Sequence, residues 1–173
     1  MAGQPAAACG HGEGLVQQDD APRLKGALKL GGISGDHGAA AAGRRILLVE
    51  DNPINALLAR ALLAREGCSI DHANRGDEAI AAVKVGSYDL ILLDMRMPGL
   101  SGEETARALR AAGIDTPIVA LTANAFEDDR HACLAAGMND FLVKPMSPDA
   151  LRAMLARWIG PNWTQAARRA KVG

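Results

Sequence analysis

Five residues of this chain carry side chains suited to chemistry, and each directly follows a short apolar run: Glu50, Asp51, Asp94, Thr122 and Lys144. Residues that trail different strands of an open α/β sheet converge outside the carboxyl ends of those strands, however far apart they lie in sequence. Three carboxylates, a hydroxyl and a lysine would then share one crevice. Like charges so gathered repel one another unless a cation compensates, and carboxylate, carbonyl and water oxygens suit a hard divalent ion such as Mg²⁺. Mg²⁺ keeps several waters and pairs readily with phosphoryl oxygens. The set therefore has the parts for phosphoryl transfer: Asp94 as nucleophile toward phosphorus, a metal to neutralise oxygens, Thr122 as hydroxyl donor and Lys144 as point charge. The product would be an aspartyl phosphate on Asp94.

The elements that must position these groups are legible as alternating patterns. Ile46 to Val49, Leu90 to Leu93, and Pro117 to Leu121 are continuous apolar runs, as expected of parallel strands buried on both faces. Cys68 to Ala73 is a less apolar strand, with Asp71 and His72 suggesting a sheet edge, and Phe141 to Val143 is the fifth. After Pro53, the residues Ile54, Leu57, Leu58, Ala61 and Leu62 recur at helical spacing until Gly67, predicting an amphipathic helix with that stripe inward. Helices are expected from about Asp77 to Val85, from Ser101 to about Ala112, through Phe126, Cys133 and Leu134 up to Gly137, and from Ser147-Pro148 to Gly160. Ser101 and Glu104 are spaced as a capping box. Five strand–helix units with short right-handed crossovers give a flavodoxin-like, doubly wound parallel sheet of order 2-1-3-4-5, with Asp51 and Asp94 flanking the switch point.

Composition narrows the classes. The chain has 173 residues, 19 Lys and Arg against 20 Asp and Glu, and a formal net charge of -1, which offers no footprint for nucleic acid. Apolar residues make up 49% but aromatics only 3%, so the core is expected from Leu, Ile, Val and Ala. No stretch has the length of a membrane span, and Cys9, Cys68 and Cys133 lack zinc-site or disulfide-framework spacing; a soluble, cytoplasmic protein without membrane contact is expected. Residues 1 to 43, rich in Gly and Ala, are expected as a flexible leader, 44 to 160 as the folded domain, and 161 to 173 as a short basic tail with Arg168, Arg169 and Lys171. His72, His131 and the cysteines show no partner spacing and are expected as incidental surface or packing residues.

Residues 44 to 160 resemble the receiver domain of two-component response regulators. The resemblance rests on Val49-Glu50-Asp51-Asn52, on Leu93-Asp94-Met95-Arg96-Met97-Pro98-Gly99 with Gly102, on Leu121-Thr122-Ala123, and on Phe141-Leu142-Val143-Lys144-Pro145. It implies that Asp94 is the phosphoacceptor, that Glu50, Asp51, Asp94 and the backbone carbonyl of Arg96 hold Mg²⁺, and that Thr122 and Lys144 contact the phosphoryl group. It implies also that Thr122 and Phe141 move on phosphorylation, changing the fourth-helix, fifth-strand and fifth-helix surface, through which the domain is a monomer or weak dimer. The implied partner is a histidine kinase or histidine phosphotransfer protein. Glu50-Asp51-Asn52-Pro53-Ile54-Asn55 and Thr122-Ala123-Asn124-Ala125 look like receivers attached to hybrid histidine kinases. Arg96 and Asn124 occupy positions that tune dephosphorylation in the family. The expected role is a phosphoacceptor, not an enzyme with a separate substrate. Two rivals stand beside it: a docking receiver that works without phosphorylation, and an aspartyl-phosphate phosphatase or phosphotransferase. The second kind of enzyme carries an acid two residues after its nucleophile, where this chain has Arg96.

Overall fold

The computed structural model describes residues 43–160 apart from Ala125; the expected leader up to residue 42 and the basic tail from 161 lie outside the described residues. Ten elements alternate: β1 (Arg45–Val49), α1 (Pro53–Arg65), β2 (Ser69–Ala73), α2 (Gly76–Val85), β3 (Leu90–Asp94), α3 (Gly102–Ala111), β4 (Ile118–Thr122), α4 (Glu127–Ala135), β5 (Asp140–Val143) and α5 (Pro148–Ile159). All strands pair in parallel in the order β2-β1-β3-β4-β5. Local chemistry sets the helix starts. Asn52 caps α1 by accepting from the amides of Ile54 and Asn55, ahead of Pro53 in the first turn. Ser101 and Glu104 form the capping box of α3, and Ser147 accepts from the Ala150 amide to start α5. At α4 the cap position is Phe126, which makes no side-chain cap bond and is 68% exposed rather than part of an inward face.

Alternation along the strands divides the core into two clusters, one on each face of the sheet. Ile46, Leu48, Leu90, Leu92, Val119, Leu121 and Leu142 pack with α1 and α5. Leu47, Val49, Ile91, Leu93, Ile118 and Ala120 pack with Ala79 of α2, Leu109 of α3 and Cys133 of α4. The α1 stripe differs from expectation. Ala56, Ala59 and Leu63 face the core, whereas Ile54, Leu57 and Leu58 are 75%, 69% and 45% exposed. Apolar residues run nearly all round α1, so periodicity could not choose its inner face. The small Ala56 and Ala59 go inward, against β-strand side chains that already fill the layer.

The edge strand β2 is fixed to β1 by a polar clamp. Arg45 Nη2 and the Tyr88 hydroxyl both donate to Asp71 Oδ2, at 2.6 and 2.8 Å, and the Arg45 guanidinium stands 5.0 Å from the Tyr88 ring centroid. Burial first, and then the Asp71 carboxylate, push the Tyr88 phenol above its ordinary value, while the Tyr88 and Arg45 donors hold Asp71 below its own. Tyr88 is the only tyrosine, so its ionisation is directly visible in ultraviolet absorbance. Its midpoint is expected above that of a free tyrosine and to move down in Asp71→Asn; an unchanged midpoint in the variant would remove the carboxylate as a cause. A raised tyrosine value stabilises the fold below its unfolded value and is lost as pH rises, whereas the depressed Asp71 value stabilises above its unfolded value and is lost as pH falls.

Candidate functional site

Parallel pairing brings the expected residues to one edge. Glu50 follows β1, Asp94 ends β3, Thr122 ends β4 and Lys144 follows β5, with Leu121 opposite Asp94 and Val143 opposite Thr122. Backbone bonds extend the ladder into these loops: the Glu50 amide donates to Ala73, that of Met95 to Leu121 and that of Lys144 to Thr122, at 3.1, 3.1 and 2.7 Å. The carboxylates are therefore carried on backbone that the sheet itself fixes.

Lys144 Nζ lies 3.0 Å from Asp94 Oδ1 and 3.1 Å from Glu50 Oε2. Glu50 and Asp94 are 1% and 3% exposed, so these pairs are largely withdrawn from water, and Asp51 is the more open member of the trio. Burial alone would lower the Lys144 value; hydrogen bonds and charge from Asp94 and Glu50 outweigh it and raise the ammonium above its ordinary value. Glu50 Oε1 also accepts from the Asn52 amide and from Asn55 Nδ2, at 3.2 and 3.3 Å, and Asp94 Oδ1 accepts from the Arg96 amide at 3.2 Å. One ammonium pairs with two of the three clustered carboxylates. Glu50, Asp51 and Asp94 each offer an oxygen within 4.8 Å of the others, a hard-oxygen donor set with uncompensated negative charge, which fits a divalent cation of the Mg²⁺ kind.

Asp94 is also fixed from below. The Gly102 amide donates to Met95 O at 3.2 Å, and a Cβ at Gly102 would stand 2.5 Å from Asp94 O, so only glycine lets α3 approach this closely. Thr122 is 7% exposed, but its hydroxyl is turned into the β4–α4 loop: Oγ1 donates to Asn124 O at 2.8 Å and accepts from the Asn124 amide at 3.2 Å. Phe141 is half-buried against the α2–α3–α4 side of the sheet, with the Arg130 guanidinium 5.9 Å from its ring centroid.

Two contributors were not foreseen. His72 Nε2 lies 2.8 Å from Glu50 O, so this histidine braces the loop that carries the carboxylates and is not incidental. Its position beside β1 follows from the register Leu48 with His72, which no local spacing reveals. Asn55 is the other; its place five residues after Glu50, on the first turn of α1, was the available signal. For the cysteines of the folded part, the expectation of packing roles agrees with burial: the Cys68 thiol is pushed up to about 11, and Cys133 is buried with its Sγ 3.8 Å from Met95 Sδ. Among the described residues no helix is long and apolar enough to cross a membrane.

A family model described as the response regulator receiver domain matches residues 46–156. Full-length ShkA, crystallised in complex with AMPPNP, is 63% identical, covering 70% of this chain and 25% of that one, with a TM-score of 0.64. The receiver domain of sensor histidine kinase PA1611 from Pseudomonas aeruginosa PAO1, solved with a magnesium ion coordinated in its active site cleft, is 45% identical. It covers 68% of this chain and 98% of that one, with a TM-score of 0.63. The receiver domain of the response regulator Ssk1 from Saccharomyces cerevisiae, solved with the histidine phosphotransfer protein Ypd1, is 32% identical over 69% of this chain and 90% of that one, with a TM-score of 0.65. The chain spans 13% of the length of the first Pseudomonas sensor proteins it matches.

Proposed function

Because the chain belongs to the response regulator receiver domain family, we propose that it is a phosphoacceptor of a two-component or phosphorelay system, phosphorylated on Asp94 with Mg²⁺. The observation that carries this reading is the buried pairing of Lys144 with both Asp94 and Glu50, beside a third carboxylate, at the carboxyl ends of the strands. An Asp94 carboxylate oxygen attacks the phosphorus of a phosphohistidine; the new O–P bond forms as the P–N bond breaks, and the electron pair leaves on the imidazole nitrogen, which takes a proton. Lys144, already within 3.0 Å of Asp94 Oδ1, places positive charge against the arriving phosphoryl oxygens. Glu50, Asp51, Asp94 and the Arg96 carbonyl hold Mg²⁺, which when bound supplies further charge neutralisation for the transferring group. Thr122 gives up its bonds to Asn124 to reach the phosphoryl group, loosening the β4–α4 loop, and Phe141 follows inward. The output is a population shift in the α4–β5–α5 surface of a monomer or weak dimer. The chain is thus substrate and self-catalyst of one transfer, not an enzyme turning over a second molecule, and its donor is a histidine kinase or phosphotransfer protein of the cytoplasm.

Intact-mass analysis with acetyl phosphate and Mg²⁺ tests this. A single phosphoryl adduct is expected, lost with a chelator and lost in Asp94→Ala. An adduct that persists in Asp94→Ala would refute the assignment, and no adduct at any time would leave a receiver that docks without phosphorylation.

A further inference from the structure

β2 grips the turn after β1 twice. The last shared register of the two strands is Val49 with Ala73, and one step further the Glu50 amide still donates to Ala73 O at 3.1 Å. The carbonyl of the same residue turns instead to the His72 ring, with Nε2 at 2.8 Å. A carbonyl oxygen carries no hydrogen, so Nε2 is the donor, and a neutral ring is held in that tautomer. Glu50 is thus tied to β2 through both of its peptide groups, once by backbone and once by a side chain.

What the second tie controls is Asp51. The Glu50 carbonyl and the Asp51 amide belong to one planar peptide unit, so a bond that fixes the oxygen also fixes the direction in which Asp51 leaves the strand. On the other side Asp51 runs into Asn52, whose carbonyl accepts from the Ala56 amide and whose Oδ1 accepts from the Ile54 and Asn55 amides at the start of α1. The Glu50 carboxylate needs no help from His72, because Lys144, Asn55 and the Asn52 amide already hold it. Asp51 differs. Among the described residues no hydrogen bond or ion pair reaches its carboxylate, so the backbone on either side sets where that group points. Mg²⁺ demands near-ideal octahedral geometry with oxygens at about 2.0 to 2.1 Å, which leaves little room for a misplaced ligand. Resting on the Mg²⁺-dependent phosphoacceptor reading, we propose that His72 is a positioning residue for the cation site: by holding the peptide between Glu50 and Asp51 it aims the Asp51 carboxylate at the ion shared with Glu50 and Asp94. Its bond is to the backbone behind the site, not to the ion or the phosphoryl group. Loss of that bond therefore weakens the hold on Mg²⁺ and leaves the chemistry of a loaded site as it was.

Calorimetric titration of the full chain with Mg²⁺ tests this. His72→Leu and His72→Val remove the donor and suit the half-buried strand face that His72 shares with Ile70, while His72→Gln keeps an amide N–H at much the same reach as Nε2. Circular dichroism in metal-free buffer first checks that each variant is folded. Mg²⁺ affinity is expected to fall about tenfold in His72→Leu and His72→Val and to stay within about threefold of native in His72→Gln. In labelling by acetyl phosphate, the Mg²⁺ concentration for half-maximal rate should rise by the same factor, with the rate at saturating Mg²⁺ kept within about twofold. Native affinity in the Leu and Val variants would overturn the proposal. So would a Gln variant as weak as those two, which would assign the effect to the shape of the imidazole and not to its bond, and so would a loss confined to the saturating rate. A native chain that takes up no Mg²⁺ would refute the cation site itself, a different result from a site that binds the ion equally well without His72.

Discussion

Lys144→Ala is expected to lose about 3 kcal/mol of stability in metal-free buffer and to slow phosphoryl labelling about a hundredfold. The first effect follows from burial: Glu50 and Asp94, 1% and 3% exposed, would face one another across the space now held by the ammonium. Removing one partner of a buried pair strands the other charge, and here it strands two. Mg²⁺ is expected to restore part of the loss, because it brings cation charge to the same oxygens, and Asp94→Asn added to Lys144→Ala should restore part of it without metal. Urea unfolding of the three proteins with and without Mg²⁺ measures both. A single variant as stable as the native chain in metal-free buffer would show that the pairs hold nothing together. The pH dependence has a definite sign. With its value raised in the fold, Lys144 stabilises fully below its unfolded value and the contribution is lost as pH rises past the folded one; the variant lacks this alkaline limb.

Arg110→Leu is expected to cost about 3 kcal/mol, a large share of the roughly 5 to 15 kcal/mol that holds a domain of this size together. From α3 its guanidinium reaches four acceptors at the amino ends of β4 and β5. Nε donates to Gly137 O at 2.8 Å, Nη1 to Thr116 O at 2.9 Å and to Ile114 O, and Nη2 to Asn139 Oδ1 at 2.7 Å. Asn139 Oδ1 also takes the Ile118 amide, so the same fork helps to set the start of β4. Gly137 belongs to this arrangement: its φ of +88° suits glycine, and a Cβ there would stand 2.8 Å from Arg110 Cγ. Arg110→Lys should recover little, since one ammonium cannot span acceptors arranged for a planar fork. Chemical denaturation checks both variants; full stability in Arg110→Lys would mean that charge alone suffices.

The sequence made much of this structure readable because parallel strands buried on both faces leave unbroken apolar runs, and their ends mark the site directly. Glu50, Asp94, Thr122 and Lys144 stand where those runs stop, and Ser101 and Ser147 start helices where expected. What stayed hidden depends on partners far along the chain. Arg110 reads as one more charge on a polar helix until β4 and β5 are placed beside it, and His72 gains its role only through its register with Leu48. The α1 stripe failed for another reason. Ile54, Leu57 and Leu58 are as apolar as a core-facing set, and nothing in their spacing says that the layer is already full. The bonds of the Thr122 hydroxyl to Asn124 depend on the path of the loop after β4, which residue type alone does not reveal.

The division of the core by the sheet bears on how such a domain can diversify. α1 rests on one cluster and α4 on the other, and among the described residues the two clusters are joined through the strands, whose alternate residues feed the two sides. A substitution that retunes α1 is felt mainly by α5 and one set of strand faces, whereas a change around Phe141 and α4 is absorbed by α2, α3 and the opposite set. The face beside the acidic crevice and the face across the sheet can therefore be repacked separately in variants of this chain, with the strands between them left as they are.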